Sequence, residues 1–157
     1  MVRKPAVAGR FYPGDRARLD AEVRSYFDEG ASRVRSIGVV SPHAGYVYSG
    51  QVAGRVFSRV EIPGRVVVMG PNHRGVGERA AVMSEGAWET PLGEVSLDVG
   101  LAQKLSANSS ATAAFNWSLA ISASSSVLLG SMAAANWKLL VASTCSPRAL
   151  LATPIPT

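Results

Sequence analysis

His43 and His73 are the only histidines in the 157-residue chain, and both stand where metal chemistry is plausible on residue type. The first lies in Ser41-Pro42-His43-Ala44-Gly45-Tyr46 and the second in Gly70-Pro71-Asn72-His73-Arg74-Gly75. Imidazole nitrogen is a good ligand for iron, copper or zinc. Glycine beside it lets backbone approach closely. A lone histidine more often satisfies a loop carbonyl. Two of them, each after an apolar run and each beside proline and glycine, support a shared metal or catalytic site and a structural role about equally.

The elements that must position them read as an alternation of helix and strand. Arg3 to Pro13 is an extended entry segment. Asp15 is a helix N-cap, and the helix runs to about Phe27 with Leu19, Val23, Tyr26 and Phe27 on one face. Ile37 to Val40 reads as a buried strand. Ser49 opens a second helix with Val52, Val56 and Val60 on one face, and Pro63-Gly64 ends it. Val66 to Met69 is a second buried strand. A strand–helix–strand order of this length predicts a parallel βαβ unit. Both histidines would then leave the same sheet edge, where open α/β sheets bind ligands. Ala80 to Met83 is a further strand, Trp88 to Gly93 a loop, and Asp98 caps a helix to about Leu105. A helix from Ser124 or Ser125 to about Ala134 and a strand from Leu139 to Ala142 follow.

Composition narrows the function classes. The net charge is +5, but the cations are spread among acids, as at Arg16, Asp20, Glu22 and Arg24. Nucleic-acid binding would need a concentrated positive surface, so none is expected. All eleven acidic residues lie at or before Asp98, and Leu105 to Trp137 carries no charge. That stretch is long enough to cross a bilayer. Its serines and asparagines, and the lack of a cationic flank, argue against membrane insertion. Cys145 is the single cysteine, so no intramolecular disulfide can form. With no apolar leader after Met1, a cytoplasmic protein is expected.

Four motifs in series resemble the Memo family. They are Pro5-Ala6-Val7-Ala8-Gly9-Arg10-Phe11-Tyr12-Pro13, then Pro42-His43-Ala44-Gly45-Tyr46-Val47-Tyr48-Ser49-Gly50, Gly70-Pro71-Asn72-His73, and Trp88-Glu89-Thr90-Pro91-Leu92-Gly93. The resemblance covers roughly Arg3 to Leu105. It implies an α/β fold of three layers, α/β/α, with a mostly parallel central sheet similar to class III extradiol dioxygenases. It implies that His43 and His73 are metal ligands for iron or copper, with a C-terminal cysteine completing the family's pocket. Tyr46 and Asn72 are candidates to line that pocket. By the same resemblance the protein is expected to bind a metal, or a ligand such as a phosphopeptide, without an established enzymatic activity. Partners of the radical-SAM and AMMECR1-like types are implied as well. The alternatives are a non-haem iron dioxygenase of the extradiol type and a non-functional truncated product.

Beyond Leu105 the chain departs from the family pattern. A Glu-His-Ser-Leu-Glu type motif is missing from the interval Ser106 to Ala114. Where a Ser-Asp-x-x-His motif would follow Trp137 to Thr144, the chain reads Cys145-Ser146-Pro147-Arg148. The expected layout is therefore a partial Memo-like domain over 1–144 and an unstructured tail over 145–157. A natural short variant, a fragment and a frameshift would each produce it. Cys145 reads as an incidental thiol, not as the family's cysteine ligand. Glu89 is a weak candidate for a third ligand, and Arg74 for holding an anion. Tyr48 and Trp88 read as packing residues.

Overall fold

The computed structural model describes residues 1–71, 73 and 80–107, and the backbone of 117–122. The elements in chain order are β1 (Val2–Arg3), α1 (Arg16–Tyr26), α2 (Tyr46–Ser58), β2 (Val66–Pro71), β3 (Ala80–Val82), β4 (Ala87–Thr90), β5 (Gly93–Ser96), α3 (Val99–Ala107) and β6 (Trp117–Ser122). The chain is thus a mixed α/β fold. The expected helix and strand after Ser124, Asn72, Arg74 and Cys145 lie outside the described residues.

Local chemistry sets the helix starts. Asp15 caps α1, its side chain accepting from the Arg18 amide at 2.9 Å. Asp98 does the same for α3, accepting from the Leu101 amide at 2.9 Å while Arg65 Nε donates to its second oxygen at 2.6 Å. The Leu101 amide, and then Arg65, hold the Asp98 carboxyl below its ordinary value. A depressed folded-state pKa adds stability above the unfolded value, and that contribution is lost as pH falls through the folded one. Asp98→Ala should cost about 1 kcal/mol at neutral pH. In urea titrations the gap between variant and parent should narrow below about pH 4. A gap that stays constant down to pH 2 would refute this account of Asp98.

Helix α2 packs differently from expectation. It begins at Tyr46, with Gly45 as its N-cap and no side-chain cap. Its buried face is Tyr46, Ser49, Gly50, Ala53, Gly54, Phe57 and Ser58. The valine stripe is not that face, since Val52 is exposed, Val56 is half-buried and Val60, which is buried, lies beyond the helix. The reason is the close approach of α1. An added Cβ at Gly54 would lie 2.3 Å from the Tyr26 carbonyl oxygen, and one at Gly50 would lie 2.4 Å from the Tyr26 ring. Ser58 closes the joint: its hydroxyl donates to Gly54 O at 2.7 Å and accepts from the Asp28 amide at 2.8 Å.

The described strands form two three-stranded sheets, ordered β1-β4-β5 and β2-β6-β3. Pairs β1/β4 and β3/β6 are parallel, while β2/β6 and β4/β5 are antiparallel. The single mostly parallel sheet expected from the sequence is not what these strands build. Ile37 to Val40 forms no strand, and Ile37 is 68% exposed and Val40 71%. Among the described residues the pairing near it is the isolated bridge Val34↔Val60. An apolar run of four residues states that burial is wanted, but not which edge supplies it. Trp88 to Gly93 is a hairpin and not a loop. Its turn is Pro91-Leu92, organised by the Thr90 hydroxyl, which donates to Gly93 O at 2.8 Å and accepts from the Leu92 amide at 3.2 Å. Gly93 has φ 141°, a conformation that glycine takes without steric cost.

Two apolar clusters result. One joins Ala53 and Phe57 of α2 to Val66, Val68, Trp88, Val95 and Leu97. The other is Tyr12, Leu19 and Tyr46, flanked by Val23, Tyr26 and Leu92. Among the described residues no helix is long and apolar enough to cross a membrane.

Candidate metal centre

The two histidines meet. His43 Nε2 and His73 Nε2 are 3.1 Å apart, and the rings stack with centroids 5.2 Å apart at an interplanar angle of 28°. The route differs from the one expected. His73 does follow a strand, two residues beyond the end of β2. His43 follows none; it stands three residues before the first turn of α2. A strand exit and a helix entry bring the pair together, where two parallel strand exits were expected.

The His43 segment is held on two sides. The Tyr46 amide donates to Phe11 O at 2.8 Å. Gly45 lies close to the same residue, since an added Cβ there would be 3.4 Å from Phe11 O. From the helix side, the buried Ser49 hydroxyl donates to Ala44 O at 2.7 Å, with Gly45 O farther off at 3.4 Å. By sequence alone Ser49 reads only as a helix opener. Its place in the first turn after His43 was the available signal for this contact.

Chemically, two imine-type nitrogens at this distance do one of two things. One ring donates a proton to the other, which requires opposite tautomers at Nε2. Otherwise both lone pairs face a common cation. Two metal–nitrogen bonds of about 2.0–2.1 Å subtend a 3.1 Å separation at an angle of about 100°, a normal angle between neighbouring ligands. The donor pair therefore fits iron, copper or zinc. His43 is half-buried and His73 exposed, so solvent can reach the site.

Glu89 sits on β4 and is ion-paired with Lys4. Among the described residues no group of three or more His, Cys, Asp or Glu could hold a metal, and Glu89 does not join the histidine pair in this structure. Tyr46 is 3% exposed and belongs to an aromatic cluster, with ring centroids 5.6 Å from Tyr12 and 6.0 Å from Tyr26. Burial pushes the Tyr12 and Tyr26 phenols up to about 12, the latter also through its bond to Glu22, and burial raises Tyr46 too. All three stay protonated at neutral pH. Trp88 is buried, its indole donating to Met83 Sδ at 3.0 Å. Tyr48 is the exception to the packing assignment, being 83% exposed.

Known proteins carry the same segment. A family model described as Memo-like protein matches residues 3–119. A MEMO1 family protein of Aquifex aeolicus is 45% identical over 106 residues, covering 66% of this chain and 39% of the relative. One from Thermococcus onnurineus is 45% identical over 111 residues, covering 67% and 38%. A third, from Thermotoga petrophila, is 47% identical over 110 residues, covering 60% and 40%. The chain thus spans about two-fifths of the length of these curated relatives. With the family model matched over residues 3–119, this chain belongs to the Memo-like protein family.

Proposed function

We propose that this chain is a transition-metal-binding module that holds iron or copper through His43 and His73 and does not itself turn over a substrate. The observation that carries the reading is the 3.1 Å approach of the two Nε2 atoms. Two imidazoles make a weak site, because catalytic zinc centres use three protein ligands and structural ones four. Water or a bound ligand would complete the sphere, and a phosphopeptide or other small ligand fits the same proposal. An extradiol oxygenase would further need an acid–base residue near the metal. The phenols described above stay protonated, and neither histidine is spare once both bind. A three-layer, extradiol-like arrangement completed by residues beyond the described ones belongs to the proposal. So do a cytoplasmic location, which rests on the single cysteine, and association with radical-SAM and AMMECR1-like proteins.

The test is a titration of the purified chain with Cu(II), and with Fe(II) under anaerobic conditions, followed by catechol and oxygen. One metal per chain with no ring cleavage is the expected result. Ring cleavage with oxygen consumption would overturn the non-catalytic reading. No saturable uptake of either metal would overturn the binding reading itself.

A further inference from the structure

We propose that Ser49 is a positioning residue for the two-histidine site, fixing the backbone that aims His43 at His73. The inference rests on the metal-site reading above and assigns a role that the histidines alone do not contain. Ser49 lies in the first turn of α2 and is 7% exposed. A serine inside a helix ordinarily bonds back to the carbonyl four residues earlier. Here that contact, to Gly45 O, is the long one at 3.4 Å, and the short one at 2.7 Å reaches out of the helix to Ala44 O. Ala44 is the residue immediately after His43.

The Gly45 carbonyl is already engaged by the Tyr48 and Ser49 amides, at 2.9 and 3.1 Å. The hydroxyl therefore adds its hydrogen bond one residue earlier, to the carbonyl of the Ala44–Gly45 peptide. It sets that peptide plane against a rigid helix, while the Tyr46 amide to Phe11 O bond, at 2.8 Å, fixes the following peptide against the N-terminal turn. His43 itself is half-buried, so the backbone that carries it shares in setting its direction. With the hydroxyl gone, the Ala44 peptide can rotate and the imidazole can swing away from His73. Outer groups of this kind commonly tune metal affinity by roughly 10- to 100-fold.

The test compares Ser49→Ala and Ser49→Thr with the parent chain. Alanine is a good helix former and leaves no new bulk, so the thermal midpoint should stay close to that of the parent. Threonine keeps the hydroxyl. In the metal-free protein, ring-proton NOEs between His43 and His73 should be present in the parent and in Ser49→Thr, and lost in Ser49→Ala. Cu(II) affinity by calorimetry should fall roughly 10- to 100-fold in Ser49→Ala and be restored in Ser49→Thr. Unchanged NOEs in Ser49→Ala would overturn the proposal, and so would equal losses in both variants. A parent chain that shows the NOE but takes up no Cu(II) would sink the metal reading, while the metal-free comparison still decides the role of Ser49.

Discussion

Replacing either His43 or His73 with alanine should reduce copper or iron uptake to background while leaving the fold intact. Each ring supplies one of the two nitrogens that lie 3.1 Å apart, and among the described residues no third His, Cys, Asp or Glu joins them. A site with two protein ligands cannot lose one and keep a chelate. The expected fall in affinity is at least about 100-fold, or about 2.8 kcal/mol. The double variant should be little worse than either single one, because the two residues act as a unit. Stability should change by no more than about 0.5–1 kcal/mol, since His43 is half-buried and His73 exposed. Uptake by the parent should weaken on acidification, as protons compete for the same lone pairs. Calorimetric titration at two pH values, with circular dichroism melts beside it, reads all of this. Undiminished uptake by the double variant would end the argument for a shared site.

The second large effect concerns the joint between α1 and α2. Gly54→Ala should destabilise the chain by about 1–3 kcal/mol from overpacking, offset by about 1 kcal/mol of improved helix propensity. The added Cβ would meet Tyr26 O at 2.3 Å, Tyr26 Cβ at 2.5 Å and Tyr26 C at 2.7 Å. Two of these are backbone atoms, so α1 as a whole must move. Gly50→Ala should cost less, because its clash is with the Tyr26 ring, which can swing. Gly64→Ala is the control, having nothing within 4 Å of the new methyl. It should be neutral or slightly stabilising through a less flexible unfolded chain. Urea midpoints rank the three. If Gly54→Ala matches Gly64→Ala, the helices are not seated at this distance.

How far the sequence spoke for the fold depended on the range of each interaction. Asp15 and Asp98 announced their helices because a cap acts within three residues. The Val66 strand was clear from its β-branched run. The pairing partners were not, because strand pairing joins residues far apart and apolar runs do not name their neighbours. That is why Ile37 to Val40 was expected in a sheet and forms no strand. The valines of α2 looked like its core face on hydrophobicity alone. Close helix packing selected Gly50, Ala53 and Gly54 instead, which hydrophobicity scales undervalue. In Trp88 to Gly93 the proline and glycine signalled a break, and the break proved to be the two-residue turn of a hairpin. The histidine pair could be picked out because its residue types are rare here. The geometry joining the two needed α2 and β2 together.

The β1–β4 pairing carries a consequence for biosynthesis. Val2 pairs with Ala87, and the Met1 carbonyl accepts from the Ala87 amide at 3.0 Å. Lys4 is likewise bonded to Glu89, 85 positions later. On a ribosome, α1 and α2 can dock once Ser58 has left the exit tunnel, but the first residues must wait for β4 to be made. His43 meets its partner later still, because β2 is seated in its sheet only once β6 has emerged. The nascent chain therefore acquires its helical joint first, its β1–β4 clasp second and its paired imidazoles last, so an early metal encounter would find the histidines unpaired.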